Sequence, residues 1–365
     1  MAINISNFQP PTSNTRVVVA MSGGVDSSVA AALLKDQGYD VVGLMLKLWS
    51  DGDSGRANRC CTPADVDAAR SIANQLGIPF YLVNIADTFK ATVVDYFVSE
   101  YVAGRTPNPC LMCNRHIRYE LLLNKALGLG AQYLATGHYA RVRQVDGAYQ
   151  LLRGRDAGKD QSYVLSVLGQ KELSHALWPL GEMTKARVRE LAGQYKLSVA
   201  EKAESQDLCF LANGDYRDFI TRHAPTGSIQ PGDIRTTTGQ VIGRHQGLPF
   251  YTIGQRKGLG IAAPEPLYVI ALDTADNSVI VGTKHELGRA NCTVRDMHYV
   301  SGHTPIEPFR ATAKIRYKAR EAAVTVQPDG PTARIEFDEP QRDITPGQGL
   351  VLFDGEVVIG QGFII

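Results

Sequence analysis

An α/β domain on a parallel sheet, a smaller central domain and an all-β C-terminal domain are what the sequence predicts. Three observations predict them. Over the first ~140 residues, strand-length apolar runs alternate with helix-period segments, the signature of βαβ units. After Cys209, Gly and Thr become frequent and only short strand signals remain, such as Tyr268-Val269-Ile270-Ala271-Leu272. From about residue 285 the pattern turns to period 2. The expected units are residues 1–210, 211–283 and 284–365.

Each element follows from local chemistry. Arg16-Val17-Val18-Val19-Ala20-Met21 is an apolar run fit for a buried strand. Beyond Ser22-Gly23-Gly24, the residues Val25, Val29, Ala32 and Leu33 recur as on one helix face, and Gly38 closes that helix. Residues 41–49 read as the second strand. Thr62-Pro63 reads as an N-cap with Pro in the first turn, Val66, Ala69, Ala73 and Leu76 as a helical stripe, and Gly77 as its stop. Residues 78–85 form a third strand. Asp87 is expected to cap a helix carrying Phe89, Val93 and Phe97. Residues 133–136 form a fourth strand, ending in Gly137-His138-Tyr139. Two prolines and a glycine make residues 104–114 an irregular excursion above the sheet. Residues ~145–210 read as loops with a helix near 185–194. Phe309, Ala311, Ala313, Ile315 and Tyr317 alternate with Arg310, Thr312, Lys314 and Arg316 as a half-buried strand, and Pro328-Asp329-Gly330-Pro331 reads as a hairpin turn.

With 44% hydrophobic and 21% charged residues, wholesale disorder is excluded. Lys plus Arg number 38 and Asp plus Glu 37, which excludes a globally basic nucleic-acid coat and leaves local patches. No apolar run is long enough for a membrane span. The first fifteen residues lack a basic start and an apolar core, so a frayed tail is expected rather than a signal peptide.

The strongest motif is Ala20-Met21-Ser22-Gly23-Gly24-Val25-Asp26-Ser27-Ser28. A buried strand runs into a Gly-Gly turn and a helix, where free backbone N–H groups and the positive dipole end favour phosphate. Ser22, Ser27 and Ser28 add hydroxyl donors, and Asp26 could hold a Mg²⁺ that bridges phosphates. The Walker-A pattern is absent, which disfavours a kinase or GTPase. The string resembles the PP-loop of the ATP pyrophosphatases, which transfer AMP to an oxygen and make it a leaving group.

Six cysteines stand at Cys60, Cys61, Cys110, Cys113, Cys209 and Cys292. In a long chain without an export signal a disulfide scaffold is disfavoured. Cys110 and Cys113 form a C-x-x-C, readable as a redox pair, half a metal site or chance. Cys113 is expected at a helix start, where the N-terminus, Arg115 and His116 would lower the thiol pKa. Cys209 alone reads as a core residue, Cys292 likewise, and Cys60 and Cys61 as loop residues.

Together these strings resemble the bacterial tRNA-specific 2-thiouridylase family. The matching segments are residues 22–28, Arg59-Cys60-Cys61-Thr62, residues 106–114, residues 136–140, Lys159-Asp160-Gln161-Ser162-Tyr163, residues 204–210, residues 251–260 and Pro346-Gly347-Gln348. They run in order over nearly the whole chain. The resemblance implies a PP-loop (adenine nucleotide alpha hydrolase-like) domain, a small central domain and a C-terminal β-barrel that contacts tRNA. It implies thiolation of C2 of wobble uridine 34 in tRNAs for Lys, Glu and Gln, with release of AMP and pyrophosphate. ATP would be held by Ala20, Met21, Ser22, Gly23, Gly24, Val25, Asp26, Ser27, Met45 and Gly137. Cys209 would carry a persulfide delivered by a cysteine desulfurase or sulfur-relay protein, and Cys113 would be its catalytic partner. The persulfide sulfur would attack C2 directly, or Cys113 would free it as sulfide; both routes end in a Cys113–Cys209 disulfide. Asn108, Pro109 and Cys110 would face the target base, and His138, Lys159, Asp160, Gln161, Arg316, Tyr317 and Gln348 would contact tRNA. A cytoplasmic location away from membranes is expected.

One departure matters: many members place Asp where this chain has Cys110. Cys110 could act as a thiolate base, or Cys110, Cys113 and Cys209 could hold a [4Fe–4S] cluster with one open iron. A basic row Arg310, Lys314, Arg316, Lys318 and Arg320 would give the barrel a phosphate-contacting face. The rivals are an ammonia-using PP-loop enzyme, which needs neither cysteine, and an RNA- or metal-binding protein with a decayed site.

Overall fold

A computed structural model describes residues 14–51, 62–203, 208–211 and 215–365. The tail, Cys60 and Cys61 therefore lie outside the described residues. A five-stranded sheet has the order β3-β2-β1-β4-β7. Its strands are β1 (Arg16–Ala20), β2 (Asp40–Lys47), β3 (Phe80–Asn84), β4 (Tyr133–Ala135) and the two-residue β7 (Ala176–Leu177), all pairing in parallel. The strand alternation sets both faces. Val17 and Val19 join helices Val25–Asp36, Pro63–Leu76 and Lys185–Gln194 in one core layer. Val18 turns the other way, onto Tyr119, Leu122 and Leu134. Thr62 caps its helix reciprocally with Asp65, and Gly77 ends it at φ 63° in the left-handed region. Asp87 lies in the first turn of a helix that begins at Ala86, so it does not cap it.

A hairpin the sequence reading left among loops joins β5 (Ala140–Val145) to β6 (Ala148–Arg153). Its turn is Asp146-Gly147, both at positive φ (51° and 83°), the pattern a two-residue hairpin turn requires. The central domain carries β8 (Gly232–Thr236), β9 (Val241–His245), β10 (Tyr268–Asp273) and β11 (Ser278–Gly282) around Ile234, Val269, Val279 and Val281. The C-terminal barrel comprises β12 (Arg289–Tyr299), β13 (Phe309–Lys314), β14 (Ala322–Asp329), β15 (Thr332–Gln341), β16 (Gly349–Asp354) and β17 (Val357–Ile364). It closes where β12 pairs with β17. The 328–331 turn stands as predicted, with Asp329 opposite Thr332. The hairpin β5–β6 adds to the barrel through Leu152 opposite Val357, so one sheet runs from the barrel onto the N-terminal domain.

The predicted row of five basic residues is corrected. β13 stops at Lys314, so Arg316, Lys318 and Arg320 follow in loop rather than on the strand face. Arg310 is bound by Asp338 across the sheet at 2.5 and 2.7 Å.

Candidate active site

The phosphate loop is shaped by two close approaches. Gly23 has φ 67°, and a Cβ there would stand 2.4 Å from the Asp65 carbonyl oxygen. Gly137 lies against the first turn of helix Val25–Asp36, where a Cβ would stand 2.8 Å from the Ser27 nitrogen. Each position therefore admits only glycine without backbone movement. The Ser27 hydroxyl accepts from the Ser22 N–H at 3.1 Å and lies 3.2 Å from the Ser22 hydroxyl, while no side chain caps the helix at Gly24. The first N–H groups of this helix thus have no side-chain acceptor, as a phosphate site requires. Met45 is buried in β2, within the same core layer as Met21.

Two lysines that sequence reading missed complete the loop. The Lys185 ammonium, nearly buried, donates to both Asp26 carboxylate oxygens at 2.7 and 2.8 Å, and the Tyr139 hydroxyl donates to the same carboxylate at 2.8 Å. Lys202 donates to the Gly23 carbonyl at 2.7 Å and to Asp65 at 2.5 Å. Burial pushes the Asp65 carboxyl up, but its bonds to Lys202 and Thr62 outweigh burial and hold it below the usual carboxylate range. Asp26, as placed, is neutralised by a protein ammonium and fits that partner better than a magnesium ion.

Below the loop, the 104–114 excursion is irregular only to Asn108. The Asn108 side chain accepts from the Cys110 N–H at 3.1 Å, and a helix starts at Pro109. Cys110 is therefore exposed in a first turn. Cys113 comes a full turn later and opens a π-helical stretch, Cys113–Leu122. This corrects the expectation of a thiol at a helix N-terminus. Burial pushes the Cys113 thiol up, and the Arg118 charge only partly offsets this. The predicted tuning groups stand elsewhere: Arg115 is exposed and His116 pairs with Glu120 at 2.7 Å.

Cys113 and Cys209 are both half-buried and pack on the same apolar cluster, with Phe89, Phe97 and Phe210 at its centre. Arg118 interacts electrostatically with both thiols. Cys110 is not part of that cluster; its charge is felt by Tyr163 and Tyr317. Among the described residues no three His, Cys, Asp or Glu side chains gather as a metal site. Among those residues Cys110, Cys113 and Cys209 are thus not gathered as a ligand set. Cys292 is buried in the barrel.

The barrel holds the Cys110 loop in place. Gln348 donates to the carbonyls of Thr106 and Pro107 at 2.8 and 3.1 Å, and the Thr106 N–H donates to Pro346 at 2.8 Å. The Tyr163 hydroxyl donates to the Gly349 carbonyl at 2.7 Å. Arg316 donates to the Ile253 carbonyl at 3.0 Å and to the Thr345 hydroxyl, tying the central domain to the barrel. Tyr317 donates to the Asp160 carbonyl at 3.1 Å and sets its ring edge-on to Tyr163, 5.8 Å away. The Asp160 carboxylate accepts from the N–H groups of Gly154 and Ser162, and Gln161 accepts from the Tyr139 N–H. Lys159 is half-buried beside them. His138 is buried, 2.7 Å from the Thr136 hydroxyl, and burial followed by the Arg118 charge keeps it neutral. The structure thus brings Asn108, Pro109, Cys110, Tyr317, Asp160 and Gln348 to one seam, with several of them organising backbone. Gln348→Ala is expected to cost about 1–2 kcal/mol locally, read as faster hydrogen exchange at residues 106–112 with the barrel strands unchanged.

Three family models match in succession: the tRNA methyl transferase HUP domain at residues 15–213, the tRNA methyl transferase PRC-barrel domain at 217–283, and the aminomethyltransferase beta-barrel domain at 289–364. The chain is 54% identical over 356 residues to the tRNA-specific 2-thiouridylase MnmA of Moorella thermoacetica, covering 95% of this chain and 98% of that protein. It is 48% identical to the protein of that name from Symbiobacterium thermophilum, covering 96% and 92%. It is 49% identical to that from Magnetococcus marinus, covering 97% and 100%.

Proposed function

This chain belongs to the tRNA-specific 2-thiouridylase family and is a sulfurtransferase acting on tRNA uridine; we propose that it adenylates the C2 oxygen of wobble uridine 34 and replaces that oxygen with sulfur carried on Cys209. The tRNAs are those for Lys, Glu and Gln, and a cysteine desulfurase or sulfur-relay protein loads Cys209. ATP binds at the loop 20–27 with Gly137 and Met45. The C2 oxygen attacks the α-phosphorus and pyrophosphate leaves. The loop's N–H groups, with Lys185 and Lys202 nearby, hold the phosphate charge. Asp26 itself is held by Lys185 at 2.7 Å.

The terminal sulfur of the Cys209 persulfide then attacks C2, and AMP leaves with the former C2 oxygen. The Cys113 thiolate attacks the Cys209 Sγ. The Sγ–S bond breaks with its electron pair on the sulfur bound to C2, and a Cys113–Cys209 disulfide forms. An external dithiol reduces that disulfide and resets the enzyme. The wobble base must leave its stack for C2 to be reached. Asn108, Pro109 and Cys110 face it, while Lys159, Asp160, Gln161, Arg316, Tyr317, Gln348 and His138 shape or line the seam that takes the anticodon.

The observation that carries this reading is the packing of Cys113 and Cys209 on one apolar cluster, in a domain whose first loop is built for phosphate. An ammonia-using enzyme needs no such pair. The test is an anaerobic reaction with ATP, tRNA, cysteine, a cysteine desulfurase and a dithiol, followed by mass spectrometry of digested tRNA. ATP-dependent 2-thiouridine is expected; AMP formed without it would count against the sulfur route.

A further inference from the structure

The segment 251–260 has no part in the cycle above, yet it borders the Cys110 loop. The Thr252 hydroxyl lies 3.2 Å from the hydroxyl of Thr106, two residues before Asn108, and Arg316 donates to the Ile253 carbonyl at 3.0 Å. Gly254, at φ 85°, is pressed against the barrel's Asp343, where a Cβ would stand 2.0 Å from the Asp343 Oδ1. Gln255 then fixes the turn. Its side-chain oxygen accepts from the Thr252 N–H at 3.1 Å, and its amide nitrogen donates to the Lys257 carbonyl at 3.0 Å. The Gly254 N–H donates to the Val269 carbonyl at 2.8 Å and the Val269 N–H to the Gln255 carbonyl at 3.0 Å. The tip of this braced loop carries Arg256 and Lys257, both exposed. Neither makes an ion pair among the described residues. The Arg217 guanidinium stands beside them: a Cβ at Gly258 would lie 3.6 Å from its Nη2, and its Nε is buried with no hydrogen-bond partner among the described residues. The Asp215 carboxylate is committed to capping its own helix, where it accepts from the Arg217 N–H at 2.9 Å.

We propose that Arg256 and Lys257 of the central domain, backed by Arg217, grip the phosphate backbone of tRNA beside the wobble nucleotide. Four residues span at most about 14 Å, so Arg256 stands within that reach of Thr252 and its contact with the Cys110 loop. A nucleotide delivered to Asn108 brings its flanking phosphodiesters with it, and these two cations project from the adjoining loop. Contacts to phosphate carry no sequence information but fix register and orientation. An enzyme that must place one uridine over one site needs that register. The bonds made by Gln255 hold the loop backbone before tRNA arrives, which lowers the ordering cost of binding. The inference rests on the tRNA reading proposed above, but its test involves no sulfur chemistry.

The test is equilibrium binding of dye-labelled, unmodified tRNA for Glu to the full-length protein, read by fluorescence anisotropy between about 50 and 200 mM salt. Wild type is compared with the double variant Arg256→Ala, Lys257→Ala. A control double variant, Lys35→Ala, Lys196→Ala, removes two exposed lysines at the far ends of helices Val25–Asp36 and Lys185–Gln194, which start at the phosphate loop. Loss of Arg256 and Lys257 is expected to raise the tRNA dissociation constant about tenfold near 150 mM salt. It should also lower the slope of log affinity against log salt by about 1.4 to 1.8, the loss of two phosphate contacts. The control should change affinity less than twofold, and ATP affinity should stay as in wild type in both variants. An unchanged dissociation constant and slope would overturn the proposal, as would an equal loss in the control, which marks general charge attraction. Either result, with wild type still binding tRNA, leaves the thiolation reading standing. Wild type that holds no tRNA would sink that reading and this contact with it.

Discussion

In one turnover of persulfide-loaded enzyme without added dithiol, Cys209→Ser abolishes 2-thiouridine formation while ATP binding stays as in wild type, and Cys113→Ser releases none. Serine fills nearly the same volume, so the apolar cluster around Phe97 and Phe210 is retained. What is lost is specific. Without the Cys209 sulfur there is no site for a persulfide. Without the Cys113 thiol the Cys209 Sγ–S bond has no internal attacker, and sulfur already bonded to C2 stays tethered to the protein. Cys113→Ser should therefore accumulate a covalent adduct of protein and tRNA, visible as a gel shift reversed by added dithiol. Cys209→Ser should accumulate none. Both variants lie away from the loop at Ser22–Ser28, so calorimetric ATP affinity should change less than twofold. Retention of full turnover by either variant would end the disulfide cycle as an account of this enzyme.

Lys185→Met is the second large effect. Its ammonium now neutralises Asp26 within the first turn of helix Val25–Asp36. Remove it, and an uncompensated carboxylate faces the incoming phosphates. A charge-assisted bond of about 1.5–3 kcal/mol is lost, so the ATP dissociation constant should rise about 10- to 100-fold. Lys185→Arg should restore part of the affinity. Titration calorimetry decides the matter: unchanged affinity in Lys185→Met would show that the pair with Asp26 is purely structural.

Local chemistry carried the sequence reading where elements are self-contained. The run Val17 to Val19, the Gly-Gly turn, the Thr62 N-cap with Pro63 and the Pro328–Pro331 turn are each fixed by neighbours in the chain, and each stands where predicted. The hairpin β5–β6 carried its own signal in Asp146-Gly147, but its strands are short and pair with a sheet built largely from residues beyond 288. Lys185 and Lys202 reach the phosphate loop from 159 and 179 residues away, with no local pattern to announce them. The π-helical stretch Cys113–Leu122 was hidden for a different reason. Reading a helix at α-spacing makes residues three and four apart neighbours, and no local signal marks the change to i→i+5 bonding. Arg316 and Gln348 were found through family motifs, while period 2 alone cast Arg316 as one of a row of surface cations. Instead Arg316 bridges the central domain to the barrel, and Gln348 clamps the carbonyls of the Cys110 loop.

On the proposed route ATP activates the C2 oxygen of the uridine rather than the sulfur or another group. It is tested by preparing tRNA with ¹⁸O at C2 of uridine 34, running one anaerobic turnover with persulfidated enzyme and ATP, and weighing the AMP released. One ¹⁸O in AMP is expected for each 2-thiouridine formed. AMP carrying only ordinary oxygen, alongside normal 2-thiouridine, would contradict it.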